Sequence, residues 1–82
     1  MNATKETPPI FHELDVVALK REVPGMSLPA GARGTIHLMR RGNPPLYLVE
    51  FSPTSDDDDG LHDVSESDLR LVQATENPRP WD

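Results

Sequence analysis

LPAGARGTI, residues 28–36, sets two glycines and an arginine between a proline and a run that alternates like a β-strand. Two readings compete for it: a backbone cradle for phosphate, or a tight bend that opens a strand. A GxxG element clamps a nucleic-acid backbone when it joins two helices. A phosphate-binding P-loop needs Gly-Lys-Ser/Thr at the start of a helix. Here Gly34-Thr35-Ile36 leads into alternation, and no helical period lies on either side. The bend is therefore the better reading. Pro29 fixes φ, Gly31 supplies a positive φ, and Gly34 permits a bulge or a close backbone approach as the strand begins.

Outward from this bend, the apolar residues fall into strand-length runs. DVVALK (15–20) is β-branched and nearly continuous, which predicts a strand covered on both faces. RGTIHLM (33–39) alternates, with Ile36 and Leu38 on one face and Thr35, His37 and Met39 on the other. In LYLVEF (46–51), Tyr47, Val49 and Phe51 share one side and Leu46, Leu48 and Glu50 the other. LHDVS (61–65) and LRLV (69–72) close the series. Arg40-Arg41-Gly42-Asn43-Pro44-Pro45 reads as a short hairpin loop, because paired prolines prevent helix. Ser65-Glu66-Ser67-Asp68 has Ser-x-x-Asp capping chemistry and predicts one 3-10 or helical turn before the last strand. Five short strands, a long first loop and that single turn predict an all-β fold, a small SH3-like five-stranded barrel over residues 10–72. Residues 1–9, polar and ending in Pro8-Pro9, read as a disordered lead-in, and residues 73–82 as a flexible tail that carries Trp81.

Composition narrows the function classes. Eighty-two residues allow one small domain, and no cysteine is present to brace it. Two Phe, one Tyr and one Trp leave the core to aliphatic packing. No apolar run approaches the ~20 residues that cross a bilayer, and the N-terminus lacks a signal pattern. A soluble, cytoplasmic protein is the expectation. Fourteen acidic against eight basic side chains give a formal charge of −6, which opposes general affinity for a phosphate backbone.

Candidate chemistry is sparse. Asp56, Asp57, Asp58 and Asp59, followed by Gly60, invite a calcium reading. An EF-hand loop needs alternating oxygen ligands and a glutamate at its twelfth position; here that position is Ser67. A solvated, self-repelling loop is the better reading, with a weak surface site for a divalent cation as its alternative. His12, His37 and His62 lack metal-ligand spacing. Ser52, Ser55, Ser65 and Ser67 lie in turn-like settings without a nucleophile elbow. The sequence thus predicts no catalytic residue, no metal and no cofactor. Arg40-Arg41, with Arg33 and Lys20-Arg21, offers a small basic face for nucleic acid, but Tyr47 points inward by alternation and the acidic total favours solvated charges.

FHELDVVALKREVPGMSLPAGARGTI, YLVEF and SDLRLV, in that order, resemble the small bacterial proteins grouped as DUF4926, across roughly residues 11–72. The resemblance implies an SH3-like barrel of unassigned activity and carries over no site residue. The acidic run in 52–60 departs from the short turn expected there. The Gly-x-x-Gly-Thr-Ile bend also resembles KOW-type barrels, although many barrels with different functions share it.

The resulting expectation is a non-enzymatic barrel that acts through a protein partner, as an interaction module or accessory subunit. Its candidate surface comprises Arg40, Arg41, Leu46, Leu48, the Asp56–Asp59 run and Trp81, with the loop 21–32 beside them. Burial of Leu46 and Leu48 under Ile10 and Phe11 is the competing reading. Two other functions remain open: an immunity-type inhibitor of a basic toxin, and an RNA- or ribosome-associated barrel.

Overall fold

The computed structural model describes residues 8–23, 25, 27–51 and 60–81. Most of the lead-in, residues 1–7, lies outside that set, as do Ser52 and Ser55. Five strands follow in order: β1 (Val16–Leu19), β2 (Arg33–Arg40), β3 (Leu46–Phe51), β4 (Leu61–Ser65) and β5 (Leu69–Gln73). A 3-10 turn, Glu66–Asp68, separates β4 from β5. The strands form one antiparallel sheet in the order β4-β3-β2-β1-β5. Each strand lies within a residue or two of the run that predicts it.

One face of the sheet builds the core. Val17 and Leu19 of β1, Ile36 of β2, Tyr47, Val49 and Phe51 of β3, Val64 of β4 and Leu69 of β5 are all buried in a single cluster. Val64 and Leu69 belong to the two edge strands, so the sheet bends round its own inner face. The expected all-β class, with five strands and a single 3-10 turn, is what forms, and among the described residues no pairing joins β4 to β5 to close the sheet. Leu71, opposite Val17 in register, remains exposed on edge strand β5. Val17, Ala18 and Leu19 are buried without interruption, as the unbroken run in β1 requires of a central strand.

The alternation in β2 holds only as far as Ile36. Ile36 faces Val49 of β3, but Leu38 faces Leu48, so His37 is an extra residue in the ladder. Such a bulge resets the period of two. Leu38 therefore turns outward and Met39 packs on the core, which corrects the prediction that Ile36 and Leu38 share a face.

At the bend, the Pro29 carbonyl accepts from Ala32 N–H at 3.2 Å, with Gly31 at φ +87° inside the turn. Leu19 fixes the bend to β1, accepting from Gly31 N–H at 2.8 Å and donating to the Ala32 carbonyl at 3.0 Å. Gly34 answers a different need. A Cβ there would stand 2.6 Å from Val49 Cγ1 and 2.7 Å from the Glu50 carbonyl oxygen. At the 3-10 turn, Ser65 is the N-cap, its Oγ accepting from Ser67 N–H at 3.4 Å. Glu66 N–H donates to the carbonyl of buried Pro45 at 2.9 Å, tying the turn to the β2–β3 loop.

The segments flanking the sheet close on each other. Phe11 is buried in the core with its ring edge-on to Tyr47, centroids 5.4 Å apart. Trp81 packs against the same cluster, and its Nε1–H donates to the Phe11 carbonyl at 2.8 Å. Buried Asp15 accepts from His12 N–H through Oδ2 and from Thr75 N–H through Oδ1, each at 2.8 Å. The stretch after Gln73, where two prolines predict a tail, thus lies back across the N-terminal segment.

Candidate functional site

Alternation on β3 and the bulge on β2 together decide which side chains face away from the core. Leu48 lies opposite Leu38, and Leu46 lies opposite Arg40. Leu38 and Leu46 are exposed and Leu48 is half-buried, so the outer face of β2–β3 carries three leucines. Polar pairs flank them. Arg40 Nε donates to Asp63 Oδ1 at 3.3 Å on one side, and His37 Nε2 stands 2.8 Å from Glu50 Oε1 on the other. Both pairs are exposed and contribute little to stability.

Leu46 and Leu48 are not covered by the N-terminal segment, because Phe11 goes into the core and Ile10 into solvent. Arg40 and Arg41 are exposed, Arg40 at the end of β2 and Arg41 at the start of the loop. Trp81 sits near Leu38, in the wall of a groove. The Asp56–Asp59 run lies outside the described residues. His12, His37 and His62 are not brought together: His37 is on the outer face, while the His62 ring lies 5.9 Å from that of Phe51. Among the described residues no group of three potential ligands is arranged for a metal ion. None of the described helices is long and apolar enough to cross a membrane.

The groove, of about 600 Å³, runs between β2 and the returning C-terminal stretch. Glu13, Leu38, Met39, Arg79, Pro80 and Trp81 line it. Glu13 and Arg79 also line an adjoining recess of about 390 Å³ that reaches Leu14 and Thr75. Both hollows exist because Asp15 and Phe11 hold residues 75–81 against the N-terminal turn. That turn contains Leu14 at φ +74°, with its N–H donated to the Ile36 carbonyl at 2.8 Å and its side chain 58% exposed.

A polar cluster at the other end of the N-terminal segment was not legible in the sequence. Tyr47 O–H donates to Glu66 Oε2 at 2.6 Å, and the phenolic oxygen accepts from Phe11 N–H at 3.3 Å. Ile10 N–H donates to the same Glu66 oxygen at 3.0 Å. Burial pushes the Tyr47 phenol well above its ordinary range, and the hydrogen bond to the Glu66 carboxylate pushes it further. A phenol held protonated in this way is a structural donor, because a general base needs a pKa near the working pH.

No family model, curated protein or solved structure matches this chain. The outer leucines and the adjoining groove are therefore read on their own chemistry. They offer apolar contact area edged by charges.

Proposed function

We propose that this chain is a non-enzymatic protein-interaction module, an SH3-like sheet domain of the DUF4926 type that works in the cytoplasm. Its partner is a protein of net positive charge that brings an apolar contact to the outer face of β2–β3. The observation that carries this reading is the outward set Leu38, Leu46 and Leu48 on a chain of formal charge −6. Grouped leucines on an outer sheet face mark contact sites, and the charge speeds encounter with a basic partner while disfavouring a phosphate backbone. An inhibitor of a basic toxin is one special case of this partner class.

The test is capture with the tagged full chain at low and high salt, beside a Leu38→Ser/Leu48→Ser variant whose circular dichroism matches wild type. The reading expects one or a few basic proteins on the wild type, weakened by salt and lost from the variant. Equal recovery by both chains, no recovery above background, or recovery of nucleic acid alone would overturn it.

A further inference from the structure

Leu14 is a poor choice for its position on two counts. A positive φ is unfavourable for a side chain with a Cβ, by about 1–2 kcal/mol, and the isobutyl group is left mostly in water. Asn or Gly would satisfy the turn better. Backbone strain at a solvent-facing apolar residue points toward a contact made by that residue. Leu14 lines the recess that adjoins the groove of Leu38 and Trp81, the two hollows sharing Glu13 and Arg79.

The charges of the groove add a second observation. Arg21 pairs with Asp68 and Arg40 with Asp63, but Glu13 and Arg79 have no hydrogen-bonding or ionic partner for their side chains among the described residues. Both line both hollows. Apolar Leu38, Met39 and Trp81, beside an acid and a base that pair with no described residue, complement a segment of the same pattern with the signs exchanged. About 600 Å³ is at the scale of sites that take small ligands, and suits one or two large aliphatic side chains.

We propose that this groove docks a short extended segment of a partner protein: aliphatic side chains rest between Leu38, Trp81 and Leu14, a cationic group faces Glu13, and a carboxylate faces Arg79. The assignment rests on the interaction-module reading and names where that partner's anchor lies. The returning C-terminal stretch is then a wall of the site.

Trp81 is the only tryptophan, so its emission reports on the groove directly. The probe is an acetylated, amidated peptide Lys-Leu-Leu-Asp, titrated against the full chain, with Glu-Leu-Leu-Asp as its control. The proposal expects a saturable blue shift with the first peptide and a weaker response to the second. Glu13→Lys weakens the first peptide about fivefold and strengthens the second, the size expected for exposed ion pairs reversed in sign. Leu38→Ser weakens both about tenfold through lost apolar burial. No saturable change, a red shift from an indole displaced off Phe11, or equal responses to the two peptides on both proteins would overturn the proposal. If the peptides fail while protein capture still depends on Leu38 and Leu48, the docking groove is wrong and the module reading stands. If capture fails while the peptides still bind, the groove stands as a peptide site and the module reading is wrong.

Discussion

Gly34→Ala tests the bend reading at its most exposed assumption. The new Cβ would lie 2.6 Å from Val49 Cγ1, 2.7 Å from the Glu50 carbonyl oxygen and 3.1 Å from its carbon. Ordinary carbon contacts lie near 3.5–4.0 Å, so both neighbours must yield. Val49 is fully buried, and the Glu50 oxygen belongs to the β3 backbone directly across the ladder. Overpacking of this kind costs about 1–3 kcal/mol, and backbone that cannot rotate away places Gly34→Ala near the upper end. Gly31→Ala is the control. It meets nothing within 4 Å, so only the positive φ is penalised, at about 1 kcal/mol. A domain of this size has about 4–12 kcal/mol in all, and urea unfolding of small domains has a slope of about 1 kcal/mol per molar. Gly34→Ala should then lower the urea midpoint by about 3 M and Gly31→Ala by about 1 M, followed by Trp81 emission and far-UV circular dichroism. Adding Val49→Ala to Gly34→Ala relieves one clash and leaves the carbonyl, so no rescue to wild type is expected. A Gly34→Ala midpoint within about 0.5 M of wild type would refute the packing argument. It would return the glycine to the alternative role of admitting a ligand close to the backbone.

Three further outcomes follow from the connections around the sheet. Leu14→Asn, which suits φ +74°, should raise stability by about 0.5–1 kcal/mol, or a few degrees in Tm, while weakening peptide docking in the groove; a lower Tm would remove the strain argument. Tyr47→Phe removes the donor to Glu66 and the acceptor for Phe11 N–H, and should cost about 1–3 kcal/mol in chemical denaturation. Because the folded phenol titrates above its unfolded value near 10, the unfolded chain loses the proton first. That contribution is fully present below about pH 10 and declines above it; ultraviolet titration of the single tyrosine should show ionisation only as the protein unfolds, and a normal titration of the folded chain would contradict it. Asp15→Asn sets an amide N–H₂ against one of two backbone donors. It should cost about 1–3 kcal/mol and selectively speed hydrogen exchange at Thr75; unchanged exchange there would show that Asp15 does not hold the tail.

The strands were readable because each of their signals is local. β-branched residues in VVAL, alternation in LYLVEF and the Ser65 cap act within a few residues, so the sequence displays them directly. The bulge at His37 has no such signature. It is decided by how β2 meets β3, and no residue in RGTIHLM marks which position will be extra. Its consequence is large, since it takes Leu38 off the face it was expected to share with Ile36 and so completes the outer leucine set with Leu46 and Leu48. Tyr47 and Glu66 were also beyond local reading. The alternation correctly sends Tyr47 inward, but its partner lies on the 3-10 turn, where Glu66 reads as one more surface acid.

The two terminal aromatics could have been anticipated from a quantity the sequence does display, the shortage of core volume. A chain with four aromatic residues in all and an open five-stranded sheet cannot spare two of them to solvent. Phe11 and Trp81 lie in stretches whose prolines signal irregular backbone, and irregular backbone still delivers a side chain to a core. Once Phe11 is inside, its carbonyl is available to the Trp81 indole, and that bond draws residues 75–81 back over the N-terminal turn. The same step that completes the core therefore raises the second wall of the groove. Fold stability and the docking site share Phe11, Asp15 and Trp81, whereas Leu14, Glu13 and Arg79 stand outside that framework. Substitutions in the first set act on both properties, and those in the second separate them.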